Sequence, residues 1–210
     1  MVTQAVHDLP PAQHQVFVLR TDMPGYQAIV NELSHAYPHT TIKTIDHVTE
    51  GQAITALIGI DALRDTLGNI PEPITIGACD NGALYRPELL QQLIDDTNID
   101  VIVWGVRGYP NAIRNPHMFG WIDADPIILG TFTFRREQDY CHSVEKLMAR
   151  DGRINGEFYI DSCINDAIAL GLRCQLFEVD HYLCWGTPND LRTFEYWQSC
   201  FHKWSGHPYR

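Results

Sequence analysis

Asp80 follows the apolar run Ile74-Thr-Ile-Gly-Ala78 and precedes Asn81-Gly82. A carboxylate at the carboxyl end of a buried parallel strand projects into the crevice where open α/β sheets hold their ligands. One such group is enough to anchor Mg²⁺, which takes one or two protein carboxylates and completes its octahedron with water and substrate phosphates. The competing use of Asp-Asn-Gly is a tight turn. A second set is Glu157, Asp161 and Asn165, at i, i+4 and i+8 along an expected helix that Asn155 caps and Gly171 ends in a left-handed conformation. Ile160, Cys163, Ile164, Ala167 and Ile168 make its buried face. The polar line then either borders a cleft or marks where the helix meets water. In this reading Glu157 occupies the first turn, where the helix dipole favours a carboxylate. A third stretch, Thr49-Glu50-Gly51-Gln52-Ala53, joins a strand to a helix. Gly51 lets backbone approach a ligand, Gln52 offers the donor and acceptor that suit a nucleobase edge, and Thr49 is placed to cap the helix. A fourth, Arg107 to Trp121, gathers Tyr109, Asn111, Arg114, Asn115 and Trp121 in a polar loop with aromatic packing.

The elements that must position these residues alternate. Residues 3–9 read as a helix, 16–19 as a strand, Pro24 to His35 as a helix, Thr41 to Ile45 as a strand, Gln52 to Thr66 as a helix and Ile74 to Ala78 as a strand. Pro87 to Asp96 follows as a helix and Asp100 to Val106 as a strand. Short apolar strands spaced by helices imply βαβ crossovers: an α/β fold, Rossmann-like, with a mostly parallel central sheet and helices on both faces. After Arg107 the rhythm changes, and the strand Ile127 to Phe134 reads as an antiparallel piece at one edge. Arg173 to Val179 is a further strand. Thr187-Pro188-Asn189-Asp190 opens a last helix, with Thr187 as cap, Pro188 at the first position and Asp190 reaching back to the cap.

At 210 residues, 45% hydrophobic and 20% charged, with no linker, repeat or low-complexity tract, the chain reads as one globular domain spanning 1–210. Its net charge is −11, from 15 basic and 26 acidic residues. An acidic chain without a basic cluster is unsuited to nucleic acid or anionic membranes, and a phosphate ligand would reach it through a cation. The cysteines at 79, 141, 163, 174, 184 and 200 form no C-x-x-C pair and read as reduced thiols. His35 and His39 lack companion ligands for zinc. No signal peptide or bilayer-length apolar stretch is present, so the expected location is cytoplasmic.

The sequence GEFY-x-D at 156–161, its spacing to a strand, and W-G-T-P-x-D-L at 185–191 resemble the sugar-phosphate nucleotidyltransferase superfamily, enzymes of GT-A type fold that make nucleotide-activated sugars and headgroups. The resemblance implies Asp80 as a metal ligand with Asp161 beside the chemistry. It implies Gly51 and Gln52 as the base-contacting loop, and Asn81, Gly82, Tyr109, Asn115 and Glu157 as substrate contacts. It departs from the family at three points. The N-terminal strand and glycine-rich phosphate loop have no counterpart before Val2, and the link from Trp121 to Asp125 is short. Cys184 stands where many members carry a second metal-binding aspartate, for which Asp161 or Asp180 would have to substitute. The implied activity is Mg²⁺-dependent transfer of a nucleotidyl group from a nucleoside triphosphate to a phosphorylated sugar or headgroup, for surface polysaccharide or glycoconjugate synthesis. The alternatives are a glycosyltransferase on the same fold, or a truncated domain that binds a nucleotide sugar or a partner. The base, the acceptor and the state of assembly, whether homo-oligomer or association with a missing domain, are left open.

Overall fold

VIVWGV at Val101–Val106 is buried at every position, the composition and burial of a strand covered on both faces. It is the fifth strand of a computed structural model that describes residues 2–123 and 125–205. In chain order the elements are α1 (Val2–His7), β1 (Gln15–Arg20), α2 (Tyr26–Ala36), β2 (Thr40–Ile45), α3 (Gln52–Leu67), β3 (Ile74–Ile76), β4 (Asn81–Leu84) and α4 (Pro87–Asp95). They continue with β5 (Val101–Val106), α5 (Pro110–Arg114), β6 (Ile127–Phe134), α6 (Glu137–Ala149), α7 (Ile160–Ala169), β7 (Cys174–Glu178), β8 (His181–Cys184) and α8 (Pro188–Ser205). Met1, and Ala124 within the Trp121-to-Asp125 link, lie outside the described residues.

The central sheet has the order β3-β6-β5-β7. β6 pairs antiparallel with both β3 and β5, while β5 and β7 are parallel, so β3, β5 and β7 share one direction. β1 and β2 form a parallel pair and β4 and β8 an antiparallel one. This is the expected α/β architecture. The antiparallel strand is interior, however, not at an edge: β6 carries Phe132 and Phe134, both fully buried, and a strand that apolar on its inner half cannot sit at a wet margin.

One face of the sheet is covered by α3, α6 and α7, whose Ile60, Tyr140, Val144, Leu147, Ile160 and Cys163 meet Val101, Val103, Phe132 and Phe134. Each aromatic so buried contributes about 1.5–3 kcal/mol through area removed from water. α3 also lies on β1, where Gly59 lets the helix approach Val16 and Val18. On the opposite face α4 supplies Leu90 to a cluster with Trp104, Leu129 and Phe177.

Three local expectations change. Strand Ile74 to Ala78 ends at Ile76, and Asn81-Gly82 opens strand β4 instead of turning. The helix expected from Asn155 begins at Ile160. Asn155 and Gly156 both take positive φ, 52° and 86°, inside a tight turn closed by mutual backbone bonds between Ile154 and Glu157. Asn-Gly is the favoured dipeptide for such a turn, and here that preference outweighs capping. Glu157 therefore lies before the helix, not in its first turn. Gly171 does end the helix left-handed, at φ 85°, with the Leu172 N–H donating to the Ala167 carbonyl.

Candidate active site

The carboxyl ends of β2 and β3 carry two of the four stretches singled out for chemistry. After β2, Gly51 adopts φ 121°, a conformation that side chains rarely take, and its Cα is pressed on Phe158. A Cβ there would stand 2.5 Å from the Phe158 carbonyl oxygen and 2.6 Å from its nitrogen. The Phe158 N–H donates to the Glu50 carbonyl at 2.7 Å and the Ala53 N–H donates to the Phe158 carbonyl at 3.0 Å. Thr49 does not cap α3; its hydroxyl donates to the Gly51 carbonyl at 3.1 Å and meets Thr55. Gln52 is the first helical residue and is half-buried.

Three residues beyond Phe158, Asp161 occupies the first turn of α7. It accepts the Ser162 N–H at 2.7 Å and faces Gly120, where a Cβ would overlap its Oδ2. Burial raises its carboxyl pKa above the usual aspartate value, an effect that the Ser162 bonds oppose. No cation pairs with it among the described residues.

Gly120 belongs to the arm between β5 and β6. Its carbonyl accepts the Ile128 N–H at 2.8 Å, and Trp121 bridges to Ile127, so the arm folds back onto the start of β6. Two residues along the same strand, Gly130 faces Ala78 and the Asn81 amide, which donates to the Leu129 carbonyl at 2.8 Å. Asp161 and the Asp80 segment thus flank β6 positions ~7 Å apart, two strand residues. Asp80 carries little of its own hydrogen bonding: Asn81 Nδ2 reaches its Oδ1 only at 3.5 Å, while its Oδ2 stands over Gly186, where a Cβ would lie 2.8 Å away. Its main chain is fixed, because its carbonyl accepts the Trp185 N–H at 3.0 Å. Asn81 is buried, and Gly82 lies beneath Asp8 and Trp185.

Asp180 is not available to that centre. Its N–H donates to the Leu84 carbonyl, at the far end of β4, four strand residues or ~13 Å from Asp80. There it pairs with Arg86 at 3.7 Å, on the wall of a cavity of about 510 Å³ between α4 and β7. The pairing register of β4 with β8 decides this: Asn81 meets Cys184 and Leu84 meets His181. Cys184 is accordingly the β8 residue on the Asp80 side. Burial raises its thiol pKa, so it remains neutral, and it contacts Asp190 Oδ2 at 3.9 Å. Thr187 caps α8 through the Asp190 N–H, and Asp190 answers through its carboxylate to the Thr187 hydroxyl at 2.7 Å.

Tyr109 rests edge-on against Tyr182, centroids 4.9 Å apart, and against Phe119 at 5.8 Å, with the Asn111 amide donating to its hydroxyl at 3.2 Å. The Tyr182 hydroxyl is pushed far above its usual range by burial, then by Cys184 and Asp80. The aromatic part of the arm therefore adjoins the Asp80 end of the site. Asn115, at the end of α5, is exposed and makes no contact with the carboxylates. Glu157 is exposed and lies beside Tyr159, whose hydroxyl pKa is raised by burial and by Glu157. Gly120 is not singled out by the sequence and Gly186 enters only as part of the W-G-T-P motif, yet their missing side chains admit the two carboxylates. Their close approaches are long-range and leave no local signal.

Among the described residues no three His, Cys, Asp or Glu side chains come together to hold a metal ion. A divalent ion would have to rest on one or two carboxylates with ligand oxygens, the manner in which Mg²⁺ is commonly held.

The chain matches no family profile and no curated protein by sequence. Its backbone is similar to that of a nucleoside-diphosphate-sugar pyrophosphorylase from Vibrio cholerae, with TM-score 0.66 and 18% identity over 87% of this chain and 80% of that one. It is also similar to a putative glucose-1-phosphate thymidylyltransferase from Bacillus anthracis, with TM-score 0.58 and 15% identity over 85% and 73% of the two chains. HddC from Yersinia pseudotuberculosis aligns with TM-score 0.54 and 12% identity over 91% and 81%. The chain shares the mixed α/β fold of these structures. Among the described residues no helix is long and apolar enough to cross a membrane.

Proposed function

We propose that this chain is a nucleotidyltransferase that joins a nucleotidyl group from a nucleoside triphosphate to a phosphorylated sugar or related headgroup. The observation that carries the reading is that the Asp80 segment and, through Gly120, Asp161 are both referenced to β6 positions two residues apart, with the Gly51 loop tied to the segment that leads into Asp161, all within a nucleotidyltransferase fold. Asp80, held by its main chain and with a sparsely bonded carboxylate, is the residue to anchor Mg²⁺; Asp161 is the second candidate. The ion, when bound, neutralises phosphate charge and orients the triphosphate. An acceptor phosphate oxygen forms a bond to the α-phosphorus while the bond to the bridging oxygen breaks, and pyrophosphate leaves with the electron pair. The acceptor phosphate is already ionised, so the protein's part is positioning more than proton transfer. Gly51 and Gln52 present backbone and amide groups to the base. Tyr109 and its neighbours face the acceptor, with Glu157 and Asp161 accepting hydrogen bonds from its hydroxyls or amines.

The test is a screen of triphosphates against phosphorylated sugars for Mg²⁺-dependent pyrophosphate release, run beside Asp80→Asn. The variant should bind magnesium-nucleotide at least tenfold more weakly, about 1.4 kcal/mol, with an unchanged melting temperature. Equal affinity in the two proteins overturns the assignment of Asp80.

A second reading has one observation in its favour. The three lysines of the chain, Lys43, Lys146 and Lys203, all lie outside the four stretches that build the site. A site without lysine is poorly equipped for a free triphosphate and better suited to a nucleotide sugar, whose diphosphate carries less charge. Tight binding of a nucleotide sugar without pyrophosphate release would favour this binding role.

A further inference from the structure

Arg153 sits outside every stretch used above, yet it joins two of them. Its Nη2 donates to Glu50 Oε2 at 2.9 Å, its Nε to Asp151 Oδ1 at 2.8 Å and its Nη1 to the Gly156 carbonyl at 3.1 Å. Its guanidinium carbon lies 4.0 Å from the centroid of the Phe158 ring, closing over a side chain that is otherwise buried. Four constraints of different kinds converge on one planar group: two carboxylates, one carbonyl and one ring. Lysine cannot reproduce them, because an ammonium is a point charge and does not stack.

The segments so joined are the two sides of the candidate site. Glu50 precedes Gly51 and Gln52, on the nucleotide side. Gly156 and Phe158 bracket Glu157 and lead into Asp161, on the acceptor side. Between them run two backbone bonds, Phe158 N–H to Glu50 and Ala53 N–H to Phe158, and the close seat of Gly51 on Phe158. The junction also explains a strained region: Asp151, Asn155 and Gly156 all take positive φ within six residues, and Arg153 bonds to the first and last of them. An exposed ion pair alone is worth little. Here the pair is one part of a clamp that fixes loop against turn.

We infer that Arg153 is a positioning residue that locks the 49–52 loop to the 154–158 turn, so that occupation of the nucleotide side and of the acceptor side become interdependent. This rests on the nucleotidyltransferase reading for the identity of the two ligands, but not for the clamp itself. Coupling of this kind appears as a factor by which one ligand changes the affinity for the other, about 5- to 150-fold in typical cases.

The experiment has two arms, on wild type, Arg153→Lys and Arg153→Met. In the first, amide exchange of Ala53 and Phe158 is followed without ligand. Both amides should exchange about tenfold or more faster in both variants, in concert, while Val101 and Val103 of β5 keep their protection. Unchanged exchange at Ala53 and Phe158, or acceleration throughout the core, overturns the clamp. In the second, calorimetry measures magnesium-dTTP affinity with and without saturating glucose 1-phosphate. Wild type should show at least about fivefold tightening, and both variants a factor near one, with Lys failing to rescue. Equal tightening in wild type and variants overturns the coupling. A wild type that binds neither probe, alongside variants with concerted exchange, leaves the clamp standing and counts against the nucleotidyltransferase reading.

Discussion

Helix α7 carries two aspartates five residues apart, and they are treated oppositely. Asp166, in the middle of the helix, is 3% exposed and receives both arms of the Arg150 guanidinium, each at 2.8 Å. Asp161, in the first turn, is also largely withdrawn from water, but its donors are the backbone and hydroxyl of Ser162 and its pKa is raised by burial. A buried charge with a bidentate partner does structural duty. One left without a cation is tolerated at a cost to stability, and such a cost is characteristic of a group reserved for a ligand.

The largest effect should come from breaking the compensated half of this comparison. Arg150→Met removes the partner and leaves the Asp166 charge buried. Fully buried pairs lose about 3–5 kcal/mol in such experiments, and because Arg150 is half-exposed the loss here should fall near ~3 kcal/mol, read from urea unfolding.

Asp161→Asn sharpens the other half, and stability should move the opposite way. The folded carboxyl has a raised pKa, so the folded state holds its proton to higher pH than the unfolded chain, whose aspartate titrates near about 3.9. Ionisation of Asp161 therefore lowers stability as pH rises from that value through the folded pKa. The variant should match wild type near pH 3 and melt at a higher temperature at pH 7, while acceptor binding weakens by roughly ten- to a hundredfold, the loss expected for a charged hydrogen-bond acceptor. A variant destabilised at pH 7 with acceptor binding intact would make Asp161 a structural residue like Asp166.

The smallest effect is expected at Asp180, whose pair with Arg86 is exposed on both sides. Asp180→Asn should cost no more than about 1 kcal/mol and leave magnesium-nucleotide affinity unchanged. A loss of affinity equal to that of Asp80→Asn would return Asp180 to the metal site from which the β4–β8 register removes it.

Much of the scaffold was legible from residue types. The βαβ rhythm, the buried strand at 101–106, the helix from Gln52, the left-handed Gly171 and the Thr187 cap all follow from local chemistry, and all are present. What was not legible depends on partners distant in sequence. β6 reads as a strand, but its place between β3 and β5 is decided by which faces must be covered. Asn155 is acceptable both as a cap and in a tight turn; the following Gly156 and the packing of Phe158 on Gly51 select the turn and shift Glu157 out of the helix. Asp180 looked equivalent to Asp161 as a spare carboxylate until strand pairing placed it at the wrong end of β4. Asp80 and Asp161 were visible as candidates, whereas the glycines that make room for them were not.

β6 gives the site an unusual kind of ruler. Gly120 and Asp161 are referenced to Ile128, and Asn81 with Asp80 to Gly130, on a strand whose following residues, 131–134, are all buried. Sliding that strand by one residue would turn its inward side chains to the opposite face, so the spacing of the two reference points, Ile128 and Gly130, is fixed with the sheet. The spacing of those two reference points then persists for as long as the sheet stays folded.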